Sequence, residues 1–164
     1  MAKSIVRGFS LFAAGENFAG YVKNIKLPDF KIVTGERRSG DLDFTTKVDL
    51  GMEALDLGFT LFGYSKRALK QFGLFSGSKS QFTIKGAILE GSDESTVTHH
   101  VTGFVTEMTP NEWVGGEDTE IGFVVSIDYY KLDYDSVIMH EIGEGKRIIN
   151  GVDQLASLRK SLGL

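Results

Sequence analysis

The segment TEIGFVVSIDYYKL, residues 119–132, carries the longest β-strand pattern in the chain. Alternate residues are apolar, which predicts one buried face made of Ile121, Phe123, Val125, Ile127 and Tyr129. The opposite face is predicted to mix polar and apolar residues, namely Glu120, Gly122, Val124, Ser126, Asp128, Tyr130 and Leu132. Apolar residues on both faces indicate two packed sheets, or a sheet that other subunits complete.

Shorter strand patterns flank this segment on both sides. Residues 55–63, LDLGFTLFG, alternate between an apolar face and a partly polar face. Residues 81–90 and 97–108 flank a polar turn and predict a hairpin, and residues 136–142 predict a final strand. Residues 9–28 predict an N-terminal hairpin, in which two apolar runs flank the turn-like AAGEN. About seven strands at such close spacing predict a mainly antiparallel sheet.

Two short helices are predicted among the strands. In SKRALKQFGL, residues 65–74, Ser65 is the predicted N-cap and Gly73 the predicted residue after the C-cap. Residues 150–164, NGVDQLASLRKSLGL, predict an amphipathic helix whose apolar side holds Val152, Leu155, Ala156 and Leu162. A helix this short is marginal in water, so it must dock on its own core or on another copy. The length predicts one mainly β domain, residues 1–164.

The stretch GERRSGDLDFTTK, residues 35–47, differs from the strands around it because it is polar and contains two glycines. It carries charges of both signs: Glu36, Arg37, Arg38, Asp41, Asp43 and Lys47. Long loops in compact domains are usually functional or disordered. Two interpretations are open, a solvated surface loop and an arm that docks on a neighbour through its mixed charges.

Composition narrows the class of protein. The net charge of -4 argues against non-specific nucleic-acid binding through a basic face. The absence of cysteine excludes disulfides and thiolate chemistry. With 20 Gly, 12 Phe and only 2 Pro, the composition favours a β protein whose strands bend and pack closely. Neither a secretory signal nor a membrane span is expected, so the cytosol is the expected site of synthesis.

The histidines do not form a metal-binding pattern. His99 and His100 are adjacent, so in a strand they point to opposite faces and are predicted to be surface residues. His140 precedes Glu141, but HEIGE lacks the second histidine of H-E-x-x-H. No metal site is therefore predicted.

Other short motifs also lack the spacing that chemistry requires. Residues 143–147, GEGKR, match neither a phosphate loop nor a dinucleotide-binding turn and predict an ordinary turn. Asp133 and Asp135 lack the glycine and the distal glutamate of a calcium loop. A serine nucleophile elbow is missing as well. The sequence therefore predicts no enzyme activity and no cofactor.

Four extended phrases resemble the major tail tube protein family of contractile-tailed bacteriophages and R-type bacteriocins. They are LFAAGENFAGYVKNIKLPDF (11–30), VDLGMEALDLGFTLFGYSKRALKQFGL (48–74), GEDTEIGFVVSIDYYKL (116–132) and INGVDQLASLRKSLGL (149–164). The resemblance runs nearly from end to end in the same order, and the phrases VDLGMEAL and INGVDQL are its most specific parts.

The resemblance implies a small antiparallel β-barrel or sandwich of tail-tube type, with one flanking helix and a short C-terminal helix. It implies that six copies form a ring whose inner strands join into one barrel around a lumen, and that rings stack into a tube. The implied partners are further copies of the chain, a tail sheath protein, baseplate and tail terminator proteins, and a tape measure protein in the lumen. The implied location is a phage tail or bacteriocin particle that is assembled in the bacterial cytoplasm and pierces the target envelope.

Residue roles implied by the resemblance are expectations about surfaces. Residues 35–47 match a long loop that reaches a neighbouring subunit or ring, and residues 150–164 match a terminal segment on the outside of the tube. The interface candidates are Glu36, Arg37, Arg38, Asp41, Asp43, Lys47, Arg159 and Lys160. The lumen candidates are Asp56, Thr60, Glu120, Ser126 and Asp128. An acidic or neutral lining would let DNA pass without holding it.

Two rival functions remain open. One is the tube of a type VI secretion system or of an extracellular contractile system, which would share the fold but carry a different cargo. The other is a monomeric barrel that binds a small ligand, and a closed apolar pocket without concentration-dependent assembly would distinguish it. The sequence leaves open whether the particle carries DNA or is a headless bacteriocin.

Overall fold

Twelve strands and two helices make up the part of the chain that the computed structural model describes, residues 3–41, 43–73 and 79–164. The strands are β1 (Ser4–Ala13), β2 (Glu16–Asn17), β3 (Val22–Lys26), β4 (Ile32–Arg37), β5 (Thr46–Met52), β6 (Leu55–Phe62), β7 (Ser80–Glu90), β8 (Asp93–Pro110), β9 (Glu120–Tyr134), β10 (Val137–Gly143), β11 (Lys146–Ile149) and β12 (Val152–Asp153). The helices are α1 (Lys66–Gln71) and α2 (Ala156–Ser161). The mainly β prediction with one internal and one C-terminal helix is confirmed. In the described residues, neither helix is long and apolar enough to cross a membrane.

Ten strands form one antiparallel sheet with a branch at β9. The order along the main path is β12-β11-β10-β9-β8-β7-β1-β2. One edge of β9 pairs with β8 along most of its length, while the other edge pairs first with β6 and then with β10. Strand β3 extends the branch by pairing with β6. The remaining strands, β4 and β5, form a separate two-stranded sheet.

The large sheet curls around an aromatic core. Phe59 of β6 and Phe82 of β7 are separated by two intervening strands, yet their ring centroids lie 6.2 Å apart. Strands in a flat sheet are about 4.8 Å apart, so rings three strands away meet only if the sheet bends. Phe72 and Phe123 pack beside them, and Phe18 contacts Phe72 at 4.9 Å. The five phenylalanine rings fill the interior of the fold.

Helix α1 covers one side of this core. The Ser65 side chain accepts a hydrogen bond from the backbone N–H of Ala68, as predicted for the N-cap. Ala68 and Phe72 are buried against the sheet. Leu74, the last residue of the predicted helix pattern, lies outside the described residues.

The N-terminal hairpin is only partly as predicted. The turn is confirmed, because Ala14 and Gly15 both have positive φ, as a type I′ hairpin turn requires. The second apolar run does not pair with the first, however, since β3 pairs with β6. Phe18 is buried between the two runs, and the Tyr21 N–H donates to the Phe18 carbonyl at 3.0 Å. This turn redirects the chain to the far side of the sheet.

The predicted faces of the longest strand are correct as far as Ile127 and then exchange. The partners of β9 in β8 shift register between Thr102 and Gly103, which leaves Asp128 as an extra residue. After this bulge Tyr130 is buried, whereas the Tyr129 hydroxyl donates to Glu141 on the opposite face. The predictions for Tyr129 and Tyr130 were therefore wrong. Gly103 is required there because a Cβ would collide with the Ser126 carbonyl.

The C-terminal prediction was also wrong in detail. Residues 143–147 form the predicted turn, but that turn joins β10 to β11, a strand that the sequence pattern did not indicate. Helix α2 is only six residues long and buries none of them. Asn150 and Gly151 both have positive φ, so the chain turns there before β12. The predicted apolar side is half-exposed or exposed rather than docked on the core, as Val152 and Leu162 show.

Candidate assembly surfaces

Strands β4 and β5 form an arm, defined here as residues 30–41 and 43–53, that stands outside the large sheet. Within residues 35–47, for which the sequence left a surface loop and a docking arm open, the described residues form the outer half of a β-hairpin whose tip holds residues 38–41 and 43–45. Nearly every residue of both strands is exposed, including Leu50. Phe44 at the tip is 68% exposed. A two-stranded hairpin with both faces in water is only marginally stable on its own.

Two contacts hold the root of the arm against the large sheet. Phe30 packs on Tyr130 and His140, with ring centroids 5.3 and 5.6 Å away. Arg147 of β11 is mostly buried and its Nη2 lies 2.9 Å from Asp49 Oδ2 of β5. The hydrogen bond from Arg147 lowers the pKa of Asp49, with a further contribution from the Gly51 N–H. The root of the arm is therefore attached to the large sheet by contacts within one chain.

The charged residues that were predicted as interface candidates lie on the outer part of the arm. Glu36 is opposite Lys47 in the β4–β5 pairing, and Arg37 is opposite Thr46. Arg38 and Asp43 form an ion pair at 3.9 Å across the tip. Asp41, the sixth candidate, is exposed beside them. The structure thus brings all six onto one projecting hairpin.

The candidates at the C-terminus divide into one internal contact and one exposed charge. Arg159 donates a hydrogen bond to the Gly145 carbonyl at 2.9 Å and another to the Asp153 carboxylate. The hydrogen bond to Asp153 lowers the pKa of that carboxyl. Arg159 therefore ties α2 to the β10–β11 turn. Lys160 is exposed.

Besides the two-residue strand β12, which ends one branch, two edges of the large sheet lack partners within the described residues. From Ser4 to Ser10, β1 pairs only with β7, and its exposed apolar residues include Ile5, Val6 and Phe9. On the other side of the sheet, β3 pairs only with β6. The path β1-β7-β8-β9-β6-β3 therefore presents one open edge at each side.

The sheet face that points away from the core holds most of the predicted lumen candidates. Asp56 pairs in register with Ser126, and Thr60 with Gly122, so these residues share that face. Glu120 lies on the same face and accepts a hydrogen bond from Lys23 Nζ at 2.7 Å. Asp128 differs, because it sits at the bulge and pairs with Lys79 at 3.3 Å, close to the root of the arm. Further polar residues on this face are Thr83, Thr98, His100, Thr102, Lys131 and Asp133.

An aromatic cluster lies at the end of β6 opposite the arm, and it was missed from the sequence. This end patch consists of Phe62, Tyr64, Trp113 and Val114, all of them exposed. Trp113 is 67% exposed, and its ring meets Tyr64 edge to face at 5.2 Å. The one available signal was a tryptophan in a loop of glycines and acids, NEWVGGED, residues 111–118. Phe44, inside a polar stretch, is a signal of the same kind.

Of the two adjacent histidines, one occupies a different environment from that predicted. His100 is half-exposed on the outward face, whereas His99 is buried and its Nδ1 lies 2.7 Å from the Tyr130 hydroxyl oxygen. The surface prediction was therefore wrong for His99. In the described residues, no three His, Cys, Asp or Glu side chains are grouped so that they could hold a metal ion.

Comparison with known proteins supports the resemblance on which the expectations rest. The family model of phage tail tube protein FII matches residues 3–163. The major tail tube protein of Serratia phage KSP20 is 28% identical over 139 residues, which cover 84% of this chain and 81% of that protein. The tail tube protein of Escherichia phage P2 is 26% identical over 162 residues, which cover 94% of each.

A similar fold occurs in a solved assembly. A chain in the sheath-tube complex of an extracellular contractile injection system, PVC, in the extended state matches with a TM-score of 0.58. The match covers 76% of this chain and 87% of that chain at 14% identity, so it concerns the fold alone. The tail-tube type predicted for the fold is thereby confirmed. Because the family model spans almost the whole sequence, this chain belongs to the phage tail tube protein FII family.

Proposed function

We propose that this chain is the structural subunit of the inner tail tube of a contractile injection particle, in which rings of six copies stack into a conduit. The observation that carries the proposal is the pair of open sheet edges, β1 and β3. An exposed edge is a template for pairing with another chain, and closure into a barrel removes it. Pairing β1 of one copy with β3 of the next repeats the same heterologous contact, which closes a ring when the rotation fits.

The outward face of the sheet is the proposed lining of the conduit. Threonine and serine are frequent on it, and its charges have both signs, as Asp56, Lys131 and Asp133 illustrate. Glu120 is already neutralised by Lys23. A lining without a basic stripe would release few counterions from DNA, so the strand could slide through without being held.

The partners in this proposal follow from the surfaces that remain. The C-terminal segment exposes Leu158, Leu162 and Leu164, and it is the proposed contact for a tail sheath protein on the outside of the tube. The ends of the tube would meet baseplate and terminator proteins, and a tape measure protein would occupy the lumen during assembly. The particle is proposed to be a phage tail or bacteriocin. Capsid and portal genes beside the gene would identify a phage.

A monomeric ligand-binding barrel is a weaker candidate. Such a protein needs an internal apolar cavity, whereas five phenylalanine rings occupy the interior of this fold. The tube of a type VI or extracellular contractile system would share the fold, but both curated relatives are phage tail tube proteins.

Electron microscopy of the purified protein over a concentration series, together with sedimentation, tests the proposal. Six-fold rings or hollow tubes with a central channel are the expected result. A compact monomer at every concentration would contradict it, and rings of another symmetry would overturn the six-fold part.

The proposed lining can be tested separately, because the natural chain contains no cysteine. Thr60→Cys places a thiol on the outward face, and Ser157→Cys places one on exposed α2 as the matched control. In assembled tubes, a small maleimide should label both variants, whereas a maleimide on a long polyethylene glycol should label only Ser157→Cys. Equal labelling of both variants by the large reagent would show that this face does not line the channel.

A further inference from the structure

We infer that Asn150 is a site of spontaneous deamidation, and that local opening of the C-terminal segment, residues 152–164, controls the rate of the reaction. The backbone nitrogen of Gly151 is the nucleophile and the side-chain amide of Asn150 is the group attacked. The inference goes beyond the proposed tube function and does not depend on it, because it concerns a single isolated chain.

The sequence around Asn150 differs from that around the other asparagines. Of the four asparagines in the chain, only Asn150 is followed by glycine. Glycine has no Cβ, so no side chain shields its backbone nitrogen from a neighbouring carbonyl carbon. The other three are followed by a bulky or charged residue, in the pairs Asn17-Phe18, Asn24-Ile25 and Asn111-Glu112.

The structure leaves the Asn150 side chain accessible. Asn150 and Gly151 are exposed and form the two-residue turn between β11 and β12. In the described part of the chain, the Asn150 side chain takes part in no hydrogen bond. The side chains of Asn17 and Asn111, by contrast, each accept a hydrogen bond from a backbone N–H.

The reaction needs no reagent other than water. The Gly151 nitrogen forms a bond to Cγ of Asn150, and the bond from Cγ to Nδ2 breaks. The proton of the Gly151 N–H leaves with Nδ2 as ammonia, and the product is a five-membered cyclic imide. Water then opens the ring at either carbonyl, which gives aspartate or isoaspartate at position 150.

The folded turn opposes ring formation. Positive φ values of 52° at Asn150 and 80° at Gly151 are those of a type I′ turn. In such a turn the first residue has a ψ of about +30°, which places its Cβ nearly anti to the next backbone nitrogen. The ring requires these two atoms to be nearly eclipsed. The reaction therefore proceeds only after the turn opens.

Few contacts oppose that opening. Strand β12 pairs over only two residues, and helix α2 buries none of its residues. Arg159 is the main link, because it donates hydrogen bonds to the Gly145 carbonyl and to the Asp153 carboxylate. A segment with few buried apolar contacts is one that opens locally at low cost in free energy.

The isoaspartate product would prevent the turn from closing again. Isoaspartate routes the main chain through the side-chain carbon and lengthens it by one methylene group. A two-residue turn fixes the register of its strands, so the added group disrupts the pairing of β11 with β12. The hydrogen bond from the Asn150 N–H to the Met139 carbonyl, 2.7 Å long, depends on the same turn.

Peptide mapping of the intact chain tests the site. Wild-type protein is incubated at mildly alkaline pH and digested with trypsin, which releases residues 148–159. Mass spectrometry follows the change from amide to carboxyl, and enzymatic methylation of isoaspartyl carboxyls identifies the isomer. Conversion should be fastest at Asn150, and Asn150→Gly, which keeps the turn, should give no product in this peptide. No conversion at Asn150, or faster conversion at another asparagine, would overturn the inference.

A matched pair of variants tests the control by local opening. Arg159→Met should raise the rate at Asn150 about threefold, because the segment loses the ion pair that restrains it. Lys160→Met removes a neighbouring exposed charge and should leave the rate unchanged. In urea both variants and the wild type should react equally, and faster than the native wild type. Equal native rates in the two variants, or a native wild-type rate as high as that in urea, would refute the role of opening.

Discussion

His99 shows how one residue couples burial to acidity in this fold. It is buried in the sheet and shares a hydrogen bond with Tyr130. Its partners on the adjacent strands are Ile84 of β7 and Leu132 of β9. Burial lowers the pKa of His99 to about 4, and the adjacent His100 contributes to the decrease. Burial also raises the pKa of the Tyr130 hydroxyl. The pair is therefore neutral at physiological pH, with each side chain satisfying the other.

The lowered pKa predicts a specific pH dependence of stability. Below pH 6.5 the unfolded chain binds a proton at His99 that the folded chain does not. The free energy of unfolding therefore decreases as the pH is lowered. The loss should reach about 3 kcal/mol near pH 4 and then level off. His99→Gln should remove this dependence between pH 6.5 and 4, as measured by urea unfolding at a series of pH values.

The adjacent histidine provides the control. His100 lies on the outward face, so His100→Gln should keep most of the wild-type pH dependence, because burial is the larger cause of the lowered pKa of His99. The carboxyls of Asp49, Glu141 and Asp153, whose pKa values are lowered by hydrogen bonds from neighbouring side chains, lose their stabilisation at lower pH in all three proteins. Identical slopes in His99→Gln and wild-type protein would refute the assignment.

The arm is the element whose attachment can be tested within one chain. Arg147→Met removes the ion pair with Asp49 and leaves Phe30 as the remaining anchor of the root. Trypsin should then cleave after Arg37 or Arg38 several-fold faster, because local opening of the arm exposes the chain. The free energy of unfolding should change by less than about 1 kcal/mol, since no arm strand contributes to the buried core.

The neighbouring residue Lys146 supplies a matched variant for this experiment. Lys146 precedes Arg147 on β11 and forms an ion pair with Glu141 of β10, so Lys146→Met removes a charge pair that does not involve an arm residue. It should leave the cleavage rate unchanged. In Arg147→Met the pKa of Asp49 should also return toward its usual value, which carboxyl titration by NMR can follow. Equal cleavage rates in the two variants would mean that the ion pair does not restrain the arm.

Sequence patterns predicted the elements whose faces differ in polarity. Strands β6, β7 and β9 alternate clearly because one face of each is buried, and α1 carries a serine that caps it. The arm strands could not be recognised in this way, because both of their faces are exposed and no alternation is required. The bulge at Asp128 adds one residue without a local signal, so the prediction for Tyr129 and Tyr130 failed after it.

Non-local pairing explains the other failures. Strand β3 pairs with β6 rather than with β1, and Phe18 between the two runs is buried, but no local sequence pattern indicates either fact. The helical spacing of residues 150–164 predicted a helix that is too long. Asn150 and Gly151 have positive φ, and α2 begins only at Ala156. The charged candidates on the arm were nevertheless placed together, because a polar stretch between two apolar runs has to project from the core.

At the scale of the whole molecule, the open edges are the feature that sequence could not locate. An edge is defined by the order of strands in the sheet, and that order places β1 and β3 at the two sides. The position of β1 at an edge explains why Ile5 and Val6 are exposed, since the same exposed side chains on an inner strand would indicate poor packing. Two open edges in one chain are compatible with membership of a tail tube family, because a subunit that closes into a ring needs two complementary sides.

Ring closure should therefore respond to substitutions on the open strand edge. Ile5→Lys with Val6→Lys adds charge to the β1 edge, where lysine is a common device against pairing, and should keep the protein monomeric in sedimentation. Both side chains are already exposed, so the free energy of unfolding should change by no more than about 0.5 kcal/mol. Leu162→Lys, an equally exposed site on the C-terminal segment, should still form rings. Rings formed by the double variant would exclude β1 as the closing edge.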